Sequence, residues 1–315
     1  MSDLRVAVFG DLLYDCFFWA DRLPRMGETV TGRASGFFAS GKGGNQAAMC
    51  ARLGAHVQML GKVGDDARGA FLLDTMRKSG VDVGGVIVSA KDATGTDCVI
   101  VDRDGHNAIV VSPNANATVT AAEVDAMRVR FESAQTALFQ LQINSDAVAR
   151  AMRLARDCAC RVILNPAPAC ALSENLFALA DIVTPNETEA EYFTGVYRAD
   201  MEIGAWRAKA AAAMHDLGAR EIIITMGEHG AYYSGLDGAF MMSAFRIDPV
   251  DSTAAGDAFN GGLAVRLSAG DGIRAAMRYA SACGALTATR RGSLPSLPTQ
   301  SELEAFLNQH TEALI

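Results

Sequence analysis

Four short stretches of this sequence bring together residue types that can do chemistry. The sharpest is Asp251-Ser-Thr-Ala-Ala-Gly-Asp257-Ala-Phe-Asn-Gly-Gly262. Its small residues Ala254, Ala255 and Gly256 lead into a helical pattern with Phe259, Leu263 and Leu267 as the apolar stripe. Amide N–H groups left unpaired at such a helix start sit at the positive end of the dipole and make an anion hole. A carboxylate at Asp257, beside that hole, is placed to take a proton from a hydroxyl. For this segment alone a plain structural reading weighs as much: Asp257 suits a helix N-terminus, and the glycines permit close packing.

The second stretch is Gly41-Lys42-Gly43-Gly44-Asn45-Gln46. Glycines there let a ligand approach the backbone, and Asn45 offers both a donor and an acceptor to hydroxyl groups. Taken in isolation, a Gly-rich turn opening a helix is the commoner meaning. The third is Thr184-Pro-Asn186-Glu187-Thr-Glu189-Ala-Glu191. Asn186 and Glu189 could organise waters around Mg²⁺ near nucleotide phosphates, but Asn186 as a helix N-cap with Glu189 three residues on explains the spacing more simply. The fourth, Thr225-Met-Gly227-Glu-His-Gly230, turns through glycines at a strand end, where a nucleotide could lie against bare backbone. Nothing matches G-x-x-x-x-G-K-[ST], and no G-x-G-x-x-G follows the first strand pattern, which disfavours two common nucleotide folds.

The elements that must position these residues follow from the apolar pattern. Strand signals fall at 5–10, 57–63, 137–141, 161–165, 181–184, 221–225, 231–234 and 239–243. Helical signals fall at 43–53, 68–79, 121–131, 146–158, 187–193, 205–217, 256–268, 272–288 and after Pro298. Residues 27–40 read as a Gly-punctuated hairpin outside the main sheet, and 96–102 pairs with 107–111 around Arg103-Asp104-Gly105. Strands alternating with helices imply an α/β fold with a mostly parallel sheet covered on both faces, whose active residues gather at the carboxyl ends of the strands. With no repeat or linker, residues 1–315 read as a single domain carrying a small β appendage from segments near 12–40 and 95–112.

Composition narrows the classes. The chain has 315 residues, 28 Lys+Arg against 36 Asp+Glu, and a net charge of −8. That balance disfavours nucleic acid as a partner, which needs clustered cations, but not a nucleotide held by backbone amides. No apolar run reaches the ~18 residues that span a bilayer. The start, Met1-Ser2-Asp3-Leu4-Arg5, has an acid where a signal peptide carries positive charge. The seven scattered Cys read as reduced thiols. The expectation is a cytoplasmic protein. The five His form no i, i+4 pair, which disfavours a His-based metal site.

Together and in order, these segments resemble the ribokinase-like sugar kinases of the phosphofructokinase-B type. The likeness also takes in Val8-Phe9-Gly10 with Asp15, Gly27-Glu-Thr-Val-Thr-Gly32, Ala115-Asn116-Ala117, Asn165-Pro-Ala-Pro168 and Thr289-Arg-Arg-Gly292-Ser-Leu-Pro-Ser296. It implies a three-layer sandwich with a mostly parallel central sheet and a small β lid that covers the sugar and often forms a homodimer contact. By that likeness Asp257 is the general base in phosphoryl transfer from ATP to a primary hydroxyl of a sugar. Ala254, Ala255 and Gly256 form the anion hole. Asn186 and Glu189 serve Mg²⁺–ATP, and Thr225, Gly227 and Gly230 line the nucleotide. Asp15, Gly41, Lys42 and Asn45 hold sugar hydroxyls. A monovalent-cation loop, with K⁺ as the expected ion, uses Asp251, Thr253, Thr287, Arg290, Gly292 and Ser296.

Two positions depart from the family pattern. Leu13 stands where a sugar-binding Asn is expected, and Gln142 where a Glu is expected. Leu13 cannot hydrogen-bond, and a hydroxyl left unpaired against it costs ~1–3 kcal/mol. Gln142 offers a neutral acceptor, roughly half as strong as a charged one. Both argue against D-ribose as the best substrate and for a sugar that lacks a hydroxyl, or carries an apolar group or a base, at that point. The alternatives are a nucleoside kinase of the same family, a sugar-binding sensor without catalysis, and a plain structural α/β domain.

Overall fold

The computed structural model describes residues 3–310. Its strands are β1 (Arg5–Phe9), β2 (Leu13–Trp19), β3 (Ala34–Ser40), β4 (His56–Gly64), β5 (Val81–Ser89), β6 (Thr96–Val101), β7 (Asn107–Ser112), β8 (Thr136–Phe139), β9 (Arg161–Leu164), β10 (Ile182–Val183), β11 (Glu221–Thr225), β12 (Ala231–Gly235) and β13 (Gly238–Met242). The α-helices are α1 (Lys42–Arg52), α2 (Ala67–Lys78), α3 (Ala121–Ala126), α4 (Arg128–Glu132), α5 (Ser145–Asp157), α6 (Glu187–Thr194), α7 (Ile203–Asp216), α8 (Ala255–Ser268), α9 (Ile273–Ala288) and α10 (Gln300–Gln309).

Among the described residues, one sheet of nine strands runs in the order β13-β12-β11-β10-β9-β8-β1-β4-β5, and β3-β2-β6-β7 make a second sheet. The large sheet is parallel from β5 to β11 and antiparallel only at β11–β12 and β12–β13. This is the α/β fold with a mostly parallel sheet that the sequence implies.

The period-2 alternation of each strand sorts the core into two layers. Val6 and Val8 of β1 join a cluster with Met49 of α1, Leu263 of α8 and Met277 of α9. Ala7 and Phe9 join one with Met152 of α5 and Trp206 of α7 on the opposite face. Burying a side chain such as Phe9 or Met152 contributes ~1.5–3 kcal/mol, so both faces are held by apolar area.

Strand order reverses next to β1, which has β4 on one side and β8 on the other. The residues just past the strand ends there, Gly10, Gln140, Asn165 and Thr184, border the crevice where such sheets place ligands. α1, entered from β3, packs against the end of β1 at this crevice through a contact that tolerates no side chain. A Cβ on Gly43 would lie 2.7 Å from the Gly10 carbonyl carbon and 2.8 Å from the Asp11 nitrogen.

Several elements differ from the sequence expectation. β2 falls in the segment near 12–40 expected to form the β appendage but gives no strand pattern of its own, and β5 carries no strand signal. β2 is apolar on both faces, Leu13, Phe17 and Trp19 against Tyr14 and Phe18, so alternation is hidden. β5 is interrupted by Gly84 and Gly85, and a Cβ at Gly85 would meet the Leu60 side chain at 2.3 Å beside a register shift. The expected hairpin at 27–40 reduces to β3, whose antiparallel partner is β2. The helix expected over 121–131 breaks at Met127, whose amide bonds only three residues back, to Val124.

Gly43→Ala should lower the unfolding free energy by about 1–3 kcal/mol through overpacking against Gly10. The urea midpoint measures it, and an unchanged midpoint contradicts the contact.

Candidate active site

α8 opens on Ala254, held in the left-handed region at φ 60°, ψ 7°. That conformation costs a non-glycine residue about 1–2 kcal/mol, and it re-aims the chain so that the first amides of α8 point into the crevice. The Ala255 amide donates to the Ser252 carbonyl at 3.1 Å, whereas those of Gly256 and Asp257 have no partner among the described residues. A Cβ at Gly256 would meet nothing within 4 Å, so the space in front of it is open.

Asp257, in the first turn of α8, is buried, and its carboxylate is held by neutral amides from α1. Asn45 Nδ2 donates to Oδ2 at 2.9 Å, and Gln46 Nε2 donates to Oδ1 at 3.0 Å. Gln46 is aimed in turn by Gln140, whose Nε2 donates to Gln46 Oε1 at 2.6 Å, and its amide also reaches Asn165 Oδ1 at 3.2 Å. Asn165 Nδ2 donates to the Thr184 carbonyl, and the Thr184 hydroxyl donates to Asn260 Oδ1 at 2.6 Å. Burial lifts the Asp257 carboxyl above its usual range, while the Lys42 ammonium and the two amides pull it back in part. A carboxylate held neutral-side and above its ordinary pKa is a stronger base than one in water.

Two clefts meet at Thr225, Ser252 and Gly256. The smaller, of about 190 Å³, is lined by Lys42, Asn186, Glu189, Ala254 and Asp257 among others. The larger, of about 690 Å³, lies beyond α8 and is lined by Gly227, Gly230, Phe245, Ile247, Ala255 and Phe259 among others. The first is polar and close to the carboxylate; the second is apolar-walled and has room for a flat ring system.

Asn186 and Glu189 do form a reciprocal cap on α6. Glu189 Oε2 accepts from the Asn186 amide at 2.8 Å, Oε1 accepts from Asn186 Nδ2 at 3.0 Å, and Asn186 Oδ1 accepts from the Glu189 amide at 2.8 Å. Burial and the nearby Asp257 raise the Glu189 carboxyl. Both carboxyl oxygens being engaged, this pair fits water-mediated support of Mg²⁺ better than direct ligation. In the proposed cation loop, Asp251 Oδ2 accepts from the Gly292 amide at 2.9 Å and Oδ1 from the Thr253 amide at 2.9 Å. Thr287, in the last turn of α9, and Ser296 are buried, and the Arg290 side chain reaches Glu302 on α10. Both Asp251 carboxylate oxygens are engaged in bracing the loop, so a cation there would rest mainly on backbone carbonyls.

The remaining residues named from the sequence lie at the start of α1, on β2 and past β8. Gly41 has φ 99°, and a Cβ there would strike Asp11 Oδ2 at 2.8 Å. Leu13 and Asp15, both buried, lie on one face of β2. Gln142 is half-buried past β8 and makes no side-chain hydrogen bond among the described residues. Asn116 clamps the start of β2: its Nδ2 donates to the Leu12 carbonyl at 3.0 Å and its Oδ1 accepts from the Leu12 amide.

Sequence reasoning gave no role to Asp11, Gln46, Gln140, Thr184 or Asn260. Asp11 Oδ1 accepts from the Gly43 amide at 3.0 Å, its Oδ2 has no partner, and burial pushes its carboxyl up to about 6. Gln46 and Asn165 stood inside recognised motifs, so their presence was visible; their joint aim at Asp257 was not.

The model of the pfkB family carbohydrate kinases matches residues 3–300. The chain is 33% identical over 302 residues to a ribokinase of Haemophilus influenzae, covering 96% of this chain and 98% of that one. It superposes on a ribokinase structure from Thermotoga maritima with a TM-score of 0.88 and 29% identity, over 97% of this chain and 99% of that one. An Arabidopsis thaliana ribokinase complexed with ribose and ATP gives a TM-score of 0.88 and 26% identity, over 98% and 99%.

Carboxyl-carbon NMR should show Asp257 titrating above the ordinary 3.8. Because Lys42 favours the charged form, Lys42→Met should move that midpoint further up; a downward shift would contradict the assigned sign.

Proposed function

The chain belongs to the pfkB family of carbohydrate kinases and is an ATP-dependent carbohydrate kinase, and from that premise we propose that Asp257 is the general base for transfer of the ATP γ-phosphoryl group to a primary hydroxyl of a sugar. The observation that carries this reading is the meeting of the two clefts at Gly256, with the buried carboxylate on one side and free amides between. Such transfer asks the protein for positioning and charge stabilisation more than for covalent chemistry.

In this reading the larger cleft takes the nucleotide against Thr225, Gly227 and Gly230. The amides of Gly256 and Asp257, with Ala254 and Ala255 shaping the turn, face the phosphate as charge develops. Asp15, Gly41, Lys42 and Asn45 hold the sugar, and Asn45 at the same time orients the base. Lys42, in the smaller cleft with Asp257, provides positive charge beside the reacting groups. Mg²⁺, supported by Asn186 and Glu189, neutralises phosphate charge when bound. K⁺ would be held by Asp251, Thr253, Thr287, Arg290, Gly292 and Ser296, mostly through carbonyls, and Asp251 would transmit its effect by bracing the turn before α8.

The second sheet serves as a lid on a single domain, excluding water from the transfer. The β2 face that bears Asp15 continues as Phe17 and Trp19, with Val99, Ile109 and Val111 on the strands beside it. Ile109 and Val111 are 53% and 44% exposed. An apolar sheet face left open to water suits a second copy of the chain, so the lid also supports a homodimer.

Asp257→Asn keeps the shape and removes the base. Sugar-dependent ADP release should fall ~10²–10⁴-fold in kcat with the sugar KM nearly kept; wild-type turnover in that variant overturns the assignment. Sedimentation should give a dimer for the native chain and a monomer for Ile109→Asp.

A further inference from the structure

The lid carries a second carboxylate that the family pattern leaves without a role. Asp97 of β6 is the direct neighbour of Asp15 in the parallel β2–β6 pairing. Adjacent strands lie ~4.8 Å apart, so the two carboxyls stand side by side on one face of the sheet, the face that also bears Leu13 two residues before Asp15. Asp15 is 5% exposed. Asp15 Oδ1 and Asp97 Oδ1 are both buried without a hydrogen-bond partner, and so is Asp11 Oδ2 against the Gly41 turn. Among the described residues no cation forms a salt bridge with Asp11, Asp15 or Asp97. Burial and the neighbouring Asp97 both hold the Asp15 carboxyl well above the usual range.

A buried carboxylate oxygen with no donor is costly. Two carboxyls abreast share a proton rather than both ionise, yet each keeps a buried oxygen without a partner. Such a pair can take hydrogen bonds from a ligand's hydroxyls, and a lid over a sugar is where such a ligand would sit. We propose that Asp97 is a substrate-recognising residue, which with Asp15 clamps a pair of neighbouring hydroxyl groups on the sugar. This rests on the reading of the chain as a sugar kinase in which Asp15 holds substrate. Each hydroxyl donates its hydrogen to one carboxyl, and the acceptor that Leu13 cannot offer from β2 is supplied from β6 instead. Leu13 and the clamp then select together. The preferred sugar is bare of hydroxyl on the side facing Leu13 and carries its diol displaced towards β6. A sugar lacking either hydroxyl of that pair leaves a carboxyl oxygen orphaned, the situation in which polar sites discriminate most strongly.

The test is ADP release with the wild type, Asp97→Ala and Asp97→Asn, using the best sugar from a panel of pentoses, hexoses and their monodeoxy analogues. Asp97→Ala should raise KM about tenfold or more with kcat nearly unchanged, and Asp97→Asn, which keeps an acceptor and the side-chain shape, should recover part of the loss. The wild type should prefer the diol over the deoxy analogue by about tenfold or more, and Asp97→Ala should lose that preference; a merely structural role for Asp97 would not move it. Unchanged KM, or unchanged preference, in an active Asp97→Ala or Asp97→Asn enzyme overturns the clamp alone. Absence of sugar-dependent ADP release by the wild type overturns the kinase reading with it.

Discussion

The contact between the carboxylate of Asp257 and the side-chain amides of Asn45 and Gln46 ties together two helices that begin 213 residues apart in their numbering, Lys42 and Ala255. For those amides to reach it, α1 and α8 must pack closely, and they do so through a glycine. A Cβ at Gly261 would lie 2.7 Å from the Met49 Cβ, and the Cys50 thiol sits 3.5 Å from the Gly261 carbonyl. α1 is in turn pressed onto the end of β1 at Gly10 and Gly43. The closeness of three backbones therefore sets the position of one carboxylate.

Burial of that carboxylate has two physical consequences that pull in opposite directions. Removal from water makes the charged form costly and the base stronger, while neutral amide donors and the Lys42 field keep it ionisable. A direct ion pair with Lys42 would have cancelled the first effect. Contact with amides orients the oxygens without neutralising them, which leaves the charge for chemistry. Ala254 contributes from the other side: a strained turn leaves amides of α8 unpaired beside the carboxylate, where a developing negative charge can use them.

The second sheet meets the same electrostatics differently. Asp11, Asp15 and Asp97 bring partnerless buried carboxyl oxygens into one region with no salt bridge among the described residues, Lys42 reaching Asp11 only through its field, a grouping that stabilises nothing by itself. Stability is given up there, and the strands around it are held by what surrounds them: Asn116 gripping the Leu12 backbone, and the aromatic contacts of Phe17 with Trp19 and Phe38.

How much of this was legible follows from the range of each signal. Helix starts and stops, the turn from β3 into α1, the turn after β11 and the run into α8 are local patterns, so the sequence alone determined the alternating α/β order and marked Asp257, Asn45, Asn186 and Thr225 as candidates. β2 and β5 escaped because an element apolar on both faces, or broken by glycines, carries no alternation. Tertiary structure alone decided which residues meet. Gln46 could be seen in its motif, but that it spans Gln140, Asn165 and Asp257 depends on strand ends brought together by the sheet. Asp97 looked like any strand residue until parallel pairing set it beside Asp15. Local sequence encodes the conformation of each segment, whereas the chemistry of a buried charge depends on neighbours that only packing supplies.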